Sequence, residues 1–114
     1  MNNNVFKPVR RAEVYYNDIL AGILLLNRGR YTFIYDLKYM YSSNPSIALD
    51  MPKRKRYFCS PYLFPFFQGL LPEGVNKSFL CERLGISRSD KFTMLFKLAN
   101  HETIGAMTVR EGDT

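Results

Sequence analysis

The chain has 114 residues, 46% of them apolar, with nine Phe and eight Tyr, and 16 Lys and Arg against 10 Asp and Glu give a net charge of +6. A chain of this length makes one domain and buries roughly two thirds of its unfolded surface, so a disordered tail is excluded and no disulfide or metal is required for folding. The positive balance permits attraction to nucleic acid or to an acidic protein and does not select between them.

In chain order, residues 1–11 read as a polar lead-in, residues 12–110 as the single domain and residues 111–114 as a short tail. Glu13-Val14-Tyr15-Tyr16 and the apolar run of residues 19–26, broken only by Gly22, are β-rich. Asn17 and Asp18 between them tolerate positive φ, which predicts a tight hairpin. Gly29 marks the next turn, and Tyr31, Phe33 and Tyr35 then alternate with Thr32, Ile34 and Asp36 as a third strand of period two. An antiparallel meander is expected, followed by one helical turn over residues 36–41 and a fourth strand over residues 46–51, ended by Pro52.

The second half changes to helical spacing. Ser60 before Pro61 predicts a helix start with a hydroxyl cap and a proline at the first helical position, and Pro65 should keep that helix short or kinked. Val75, Phe79, Leu80 and Leu84 recur at helical spacing, and Gly85 is a natural stop. Ser87 with Asp90 resembles a capping box, and Phe92, Leu95, Phe96 and Ala99 lie on one apolar face. Residues 103–109 read as a final strand. The expected fold class is α+β, an antiparallel sheet of the N-terminal meander plus a C-terminal strand with helices packed on one face.

The chemistry that would make this chain an enzyme is missing from the sequence. Its seven glycines are dispersed as singles, so none builds a loop that wraps phosphates. Cys59, Cys81 and the single His101 cannot assemble a conventional zinc site. His101 beside Glu102 reads as an exposed loop residue, since neighbouring side chains point different ways and no nucleophile is suggested nearby. Polar Asn2, Asn3 and Asn4 follow Met1 where a secretory signal would be basic and then apolar, and residues 19–26 are too few to span a bilayer. The expectation is a cytoplasmic binding protein with no catalytic residues, no metal, no cofactor and no membrane contact.

Four segments in register resemble one family: Tyr31-Thr32-Phe33-Ile34-Tyr35; Ser46-Ile47-Ala48-Leu49; Phe66-Phe67-Gln68-Gly69-Leu70-Leu71-Pro72-Glu73-Gly74; and Ile104-Gly105-Ala106-Met107-Thr108-Val109. Together they resemble the N-terminal subdomain of the HipA toxin kinases over roughly residues 12–110. In those kinases a large catalytic domain that phosphorylates a protein substrate follows the subdomain. In some operons resembling that system the subdomain is a separate antitoxin, HipS, acting on a shortened kinase, HipT, beside a DNA-binding partner, HipB. The length and ending of this chain fit that arrangement, and the resemblance implies an antitoxin that binds and inhibits a HipT-like serine/threonine kinase in trans. Two alternatives stay open: a structural N-terminal subdomain of a HipA-type kinase, as a fragment or a non-inhibitory partner, and a small nucleic-acid-binding module.

The expected kinase-binding residues are Phe66, Phe67, Leu71, Pro72, Glu73, Gly74, Val75 and Asn76. Pro72 and Gly74 give the turn a defined shape ahead of a helix, Glu73 caps that helix or meets a basic group, and Val75 or Asn76 projects toward the partner. Some members of the family carry a bulky aromatic just after this Pro-Glu-Gly, where this chain has Val75. A purely structural turn, with Leu70, Leu71 and Val75 in the core, is the competing reading. Phe64, Phe66 and Phe67 form either an exposed aromatic anchor or a dense aromatic core. Lys53, Arg54, Lys55 and Arg56, next to Tyr57 and Phe58, read as an auxiliary contact to nucleic acid, as a contact to an acidic kinase surface, or as a solvated loop.

Overall fold

The β-rich first third and the terminal strand meet in one antiparallel sheet in the computed structural model, which describes residues 9–71, 74–87, 90–99 and 107–112. The strands are β1 (Arg10–Tyr16), β2 (Ile19–Asn27), β3 (Arg30–Tyr35), β4 (Tyr57–Ser60) and β5 (Met107–Glu111), in the spatial order β4-β3-β2-β1-β5. Asn17 and Asp18 both adopt positive φ, 50° and 65°, as do Arg28 at 53° and Gly29 at 78°. Two consecutive residues of that hand make a turn whose twist matches the flanking strands, so both hairpins of the meander close tightly. The β1–β2 register slips between Val14 and Tyr15, leaving Ala21 as the extra residue of a bulge. The carbonyl of Ala21 accepts the Asp36 amide at 2.8 Å, which ties the bulge to the end of β3.

Asp36 caps α1 (Leu37–Met40), its carboxylate accepting from the Lys38 and Tyr39 amides at 3.1 and 3.3 Å. The other helices are α2 (Pro65–Gln68), α3 (Gly74–Leu84) and α4 (Lys91–Met94), and α4 runs on into a π-helical turn, Leu95–Ala99. The core lies on one sheet face. There Ala12, Val14, Leu24, Phe33, Tyr35 and Val109 pack against Tyr39, Ile47, Met51, Leu63, Phe64, Phe67, Phe92 and Leu95. A smaller cluster of Cys81, Ile86 and Met94 joins α3 to α4. The architecture is the α+β arrangement expected, a meander plus a C-terminal strand with helices on one face.

Several local expectations are corrected. Residues 46–51 form turns and bends, and the fourth strand is β4, pairing antiparallel with β3 from Tyr31↔Ser60 to Ile34↔Tyr57. Residues 46–51 are held as a loop by the Tyr35 hydroxyl, which donates to the Met51 carbonyl and accepts the Ile47 amide at 3.0 Å. The helix expected at Pro61 begins at Pro65, which takes the first helical position behind Phe64. The Ser60 hydroxyl instead accepts the Tyr62 amide at 3.0 Å in a turn. Among the described side chains of α3, Cys81 is buried, while Phe79 and Leu84 stand 52% and 41% exposed, and Gly85 at φ 68° terminates the helix as expected. Asp90 and not Ser87 caps α4. Of the final strand, residues 103–106 lie outside the described residues, as do His101 and Glu102, and β5 runs on to Glu111.

Candidate partner-binding surfaces

Phe64 and Phe67 are buried, at 8% and 0% exposure, and Phe66 is partly buried against the same core. Pro65 starts the helix, which turns Phe67 onto the sheet, where its ring lies 6.0 Å from that of Phe33 and 5.2 Å edge-on to Phe66. The aromatic segment is therefore a core element, and the exposed-anchor alternative does not hold for Phe64 or Phe67. Leu71 is partly buried between the main core and the Cys81 cluster. Gly74 opens α3. Pro72 and Glu73, with the side chains of Val75 and Asn76, lie outside the described residues.

The basic run divides in two. The Lys53 ammonium donates to the carbonyl oxygens of Ser42 at 2.6 Å, Tyr39 at 3.3 Å and Asn44. Arg56 donates through Nε to the Tyr35 carbonyl at 3.0 Å and lies over the Tyr57 ring at 5.3 Å. Arg54 and Lys55 are exposed, with Lys55 over the Phe58 ring at 5.3 Å. Two of the four cations thus satisfy backbone acceptors of this domain, which weakens the reading of the run as a phosphate-tracking strip.

One polar cluster escaped the sequence reading. Arg10, at the start of β1, donates to Asp90 Oδ1 at 3.0 Å and to Thr93 Oγ1 at 2.8 Å, with its guanidinium 4.9 Å from the Phe92 ring centroid. Burial pushes the Asp90 carboxyl up, but the Thr93 hydroxyl and amide and the Arg10 guanidinium outweigh it and hold the group below the ordinary carboxylate value. The cluster staples the α4 start to the sheet. The sequence marked Asp90 as part of a helix start and Phe92 as part of an apolar face, but Arg10 reads as part of the lead-in's charge, and nothing local joins it to residues 80 positions away.

An open groove of about 530 Å³ runs beside α1, lined by Ile19, Leu20, Asp36, Leu37 and Tyr39 among others. The Asp36 carboxylate in it is already engaged as a helix cap. Among the described residues no group of three or more His, Cys, Asp or Glu gathers to hold a metal, and no helix is long and apolar enough to cross a membrane.

These features define a small α+β domain built on one antiparallel sheet with its core on a single face. The chain belongs to the HipA N-terminal domain family, whose profile matches residues 12–110. It is 30% identical to the Sinorhizobium fredii protein named "Putative kinase Y4dM", over 86% of this chain and 26% of that protein. It is 28% identical to "Putative kinase Y4mE" of the same organism, over 92% of this chain and 25% of that protein. The chain therefore spans about a quarter of the length of the curated relatives it matches. A solved structure, the N-terminal domain of HipA toxin, superimposes with a TM-score of 0.69 at 25% identity, covering 95% of this chain and 97% of that one.

Proposed function

We propose that this chain is a cytoplasmic antitoxin that binds a HipT-like serine/threonine kinase in trans and blocks phosphorylation of its substrate, with a HipB-like DNA-binding protein as a further member of the complex. The observation that carries the reading is the family match over residues 12–110, together with relatives that bear the name of kinases and of which the match covers about a quarter. A domain that packs beside a catalytic body when fused to it keeps a complementary surface when presented separately. Binding in trans then requires roughly 1,200–2,000 Å² of total buried surface to offset the lost translational freedom. The chain's own part is binding, without catalysis or cofactor; its dispersed glycines support that reading. The turn from Leu71 to Asn76 is one proposed contact.

The quarter-length match favours one competing reading, in which the domain positions or stabilises a kinase without inhibiting it. Co-expression with the HipA-type kinase encoded nearest in the genome separates the two. Inhibition predicts that growth is restored and that Glu73→Lys weakens the rescue; unimpaired kinase toxicity beside a formed complex supports the positioning role and ends the antitoxin reading.

A further inference from the structure

A strand with one wet face alternates apolar and polar residues, whereas a strand covered on both faces reads as a continuous apolar run. β2 is of the second kind, Ile19-Leu20-Ala21-Gly22-Ile23-Leu24-Leu25-Leu26. Its inward positions are accounted for: Ala21 and Leu24 are buried in the core, and Leu26 packs against it. The outward positions remain apolar. Leu20 pairs with Tyr15, Ile23 with both Glu13 and Ile34, and Leu25 with both Arg11 and Thr32, which places Leu20, Ile23, Leu25 and Ile34 together on the face opposite the core. All four are partly exposed, and none is among the residues packed on the core. The helical layer lies on the other face, so no described element of the chain covers Ile23, Leu25 or Ile34, while Leu20 at the edge of the set also lines the groove beside α1.

The border of this patch is charged. Arg11 flanks Leu25, and Arg110 of β5 lies opposite Glu13, over the Tyr15 ring at 4.3 Å and 3.2 Å from the Asp18 carboxylate. On the far side Tyr57, 52% exposed, extends the patch from Ile34, with Arg56 over its ring. An aliphatic centre inside a rim where Arg11, Arg56 and Arg110 outnumber the carboxylates of Glu13 and Asp18 has the anatomy of a protein interface. A second copy of the chain fits poorly, because a two-fold pairing of this face sets one basic rim against another. The family relationship supplies the occupant. The domain makes up about a quarter of the kinase-named relatives, and the family is named for an N-terminal position. The segment that follows such a domain leaves from β5, an edge strand that carries Arg110 on this same face.

We propose that the open sheet face is the principal docking surface for the body of a HipA-type kinase, through an apolar patch on the kinase bordered by carboxylates. This inference rests on the kinase-binding reading above and assigns it a surface separate from the turn before α3.

The test uses the full chain and the HipA-type kinase encoded nearest to it. Ile23→Thr with Ile34→Thr keeps β-branched side chains in the strands while removing the apolar centre. The expected result is at least a fiftyfold rise in Kd by calorimetry, with the melting temperature of the free protein within a few degrees of wild type. A measurement on the wild-type chain guards against a misfolded variant. Cys59 is exposed and lies on this face opposite Thr32, whereas Cys81 is buried. Alkylation of Cys59, followed by mass spectrometry, is expected to slow at least tenfold in the complex. Tight binding by the double variant together with an unchanged Cys59 rate overturns the docking face and leaves the antitoxin reading standing. Absence of binding by the wild-type chain overturns both. A wild-type dimer lost in the variant, with kinase affinity intact, assigns the face to a second copy and also overturns the proposal.

Discussion

The ammonium group of Lys53 is surrounded by the carbonyl oxygens of Tyr39, Ser42 and Asn44, where the backbone leaves α1. The Ser42 and Asn44 carbonyls lie past the end of this four-residue helix, and the Tyr39 carbonyl, which also accepts the Ser42 amide at 3.1 Å and the Ser42 hydroxyl at 2.7 Å, belongs to its last turn, where a cation also suits the helix dipole. Its 5.3 Å approach to the Tyr39 ring adds a cation–π contact. Replacing Lys53 by Met keeps the stem and removes the donors. Leaving partly buried acceptors unmatched is expected to cost about 1–2 kcal/mol, a drop of roughly 4–8 °C in melting temperature for each kcal/mol in a domain near this size. Arg54→Ala and Lys55→Ala, at exposed positions, are expected to stay within about 0.5 kcal/mol. Thermal melts of the three variants check the division; equal losses at all three positions contradict it. From sequence the four cations of the run look alike, because nothing local tells Lys53 that its acceptors lie 9 to 14 residues upstream.

At the scale of elements, the meander was legible because its signals are local. Asn17-Asp18 and Arg28-Gly29 adopt the positive φ that closes two-residue hairpins, and Phe33 and Tyr35 face inward at period two. The fourth strand was not legible for a non-local reason. Residues 46–51 and Tyr57–Ser60 both accept an extended reading, and the choice depends on which segment finds the free edge of β3. Tyr35 decides it by tethering residues 46–51 through its hydroxyl. The first helix of the second half failed in the same manner. Two serviceable prolines, Pro61 and Pro65, compete for the start, and core burial of Phe67 outweighs the better capping residue at Ser60. Gly22 looked like a simple interruption of an apolar run. In the structure a Cβ at that position meets the Ile34 carbonyl at 2.5 Å and the Phe33 ring at 2.5 Å, so the ring of one strand fills the space a side chain of the next would need. Gly22→Ala is expected to destabilise by about 1–3 kcal/mol, as overpacking does. Urea denaturation measures it, and a midpoint equal to wild type shows that β3 yields without cost. Of the candidate surfaces, the aromatic segment was legible as a unit but not in direction. The apolar length of β2 was visible as a sequence fact, and its meaning required the register.

At the scale of the whole molecule, the aromatic core makes the fold sensitive to alkali. Burial is the main cause that pushes the Tyr39 phenol up to about 12, with the neighbouring Tyr35 and Tyr16 adding to it. Burial likewise raises Tyr35 and Tyr31. The unfolded chain releases these protons near pH 10. A folded-state value above the unfolded one contributes stability that is whole below pH 10 and is lost as the pH climbs toward about 12, because only the unfolded chain gives up the proton in that interval. The structural cost of ionising Tyr39 in place is specific: its hydroxyl donates to the Pro45 carbonyl at 2.6 Å, and a phenolate has no proton to donate there. Its ring also lies 6.1 Å from that of Tyr35 in a stacked pair at the centre of the core. A pH titration followed by circular dichroism and by phenolate absorbance is therefore expected to show the sheet signal collapsing between about pH 10 and 12, together with the last phase of tyrosine ionisation. Tyr39→Phe removes one of these groups along with its hydrogen bond. It is expected to lower stability at neutral pH by about 1 kcal/mol while moving the alkaline transition to higher pH. Loss of stability at both ends, with no upward movement of the alkaline midpoint, places the sensitivity outside this pair of stacked rings.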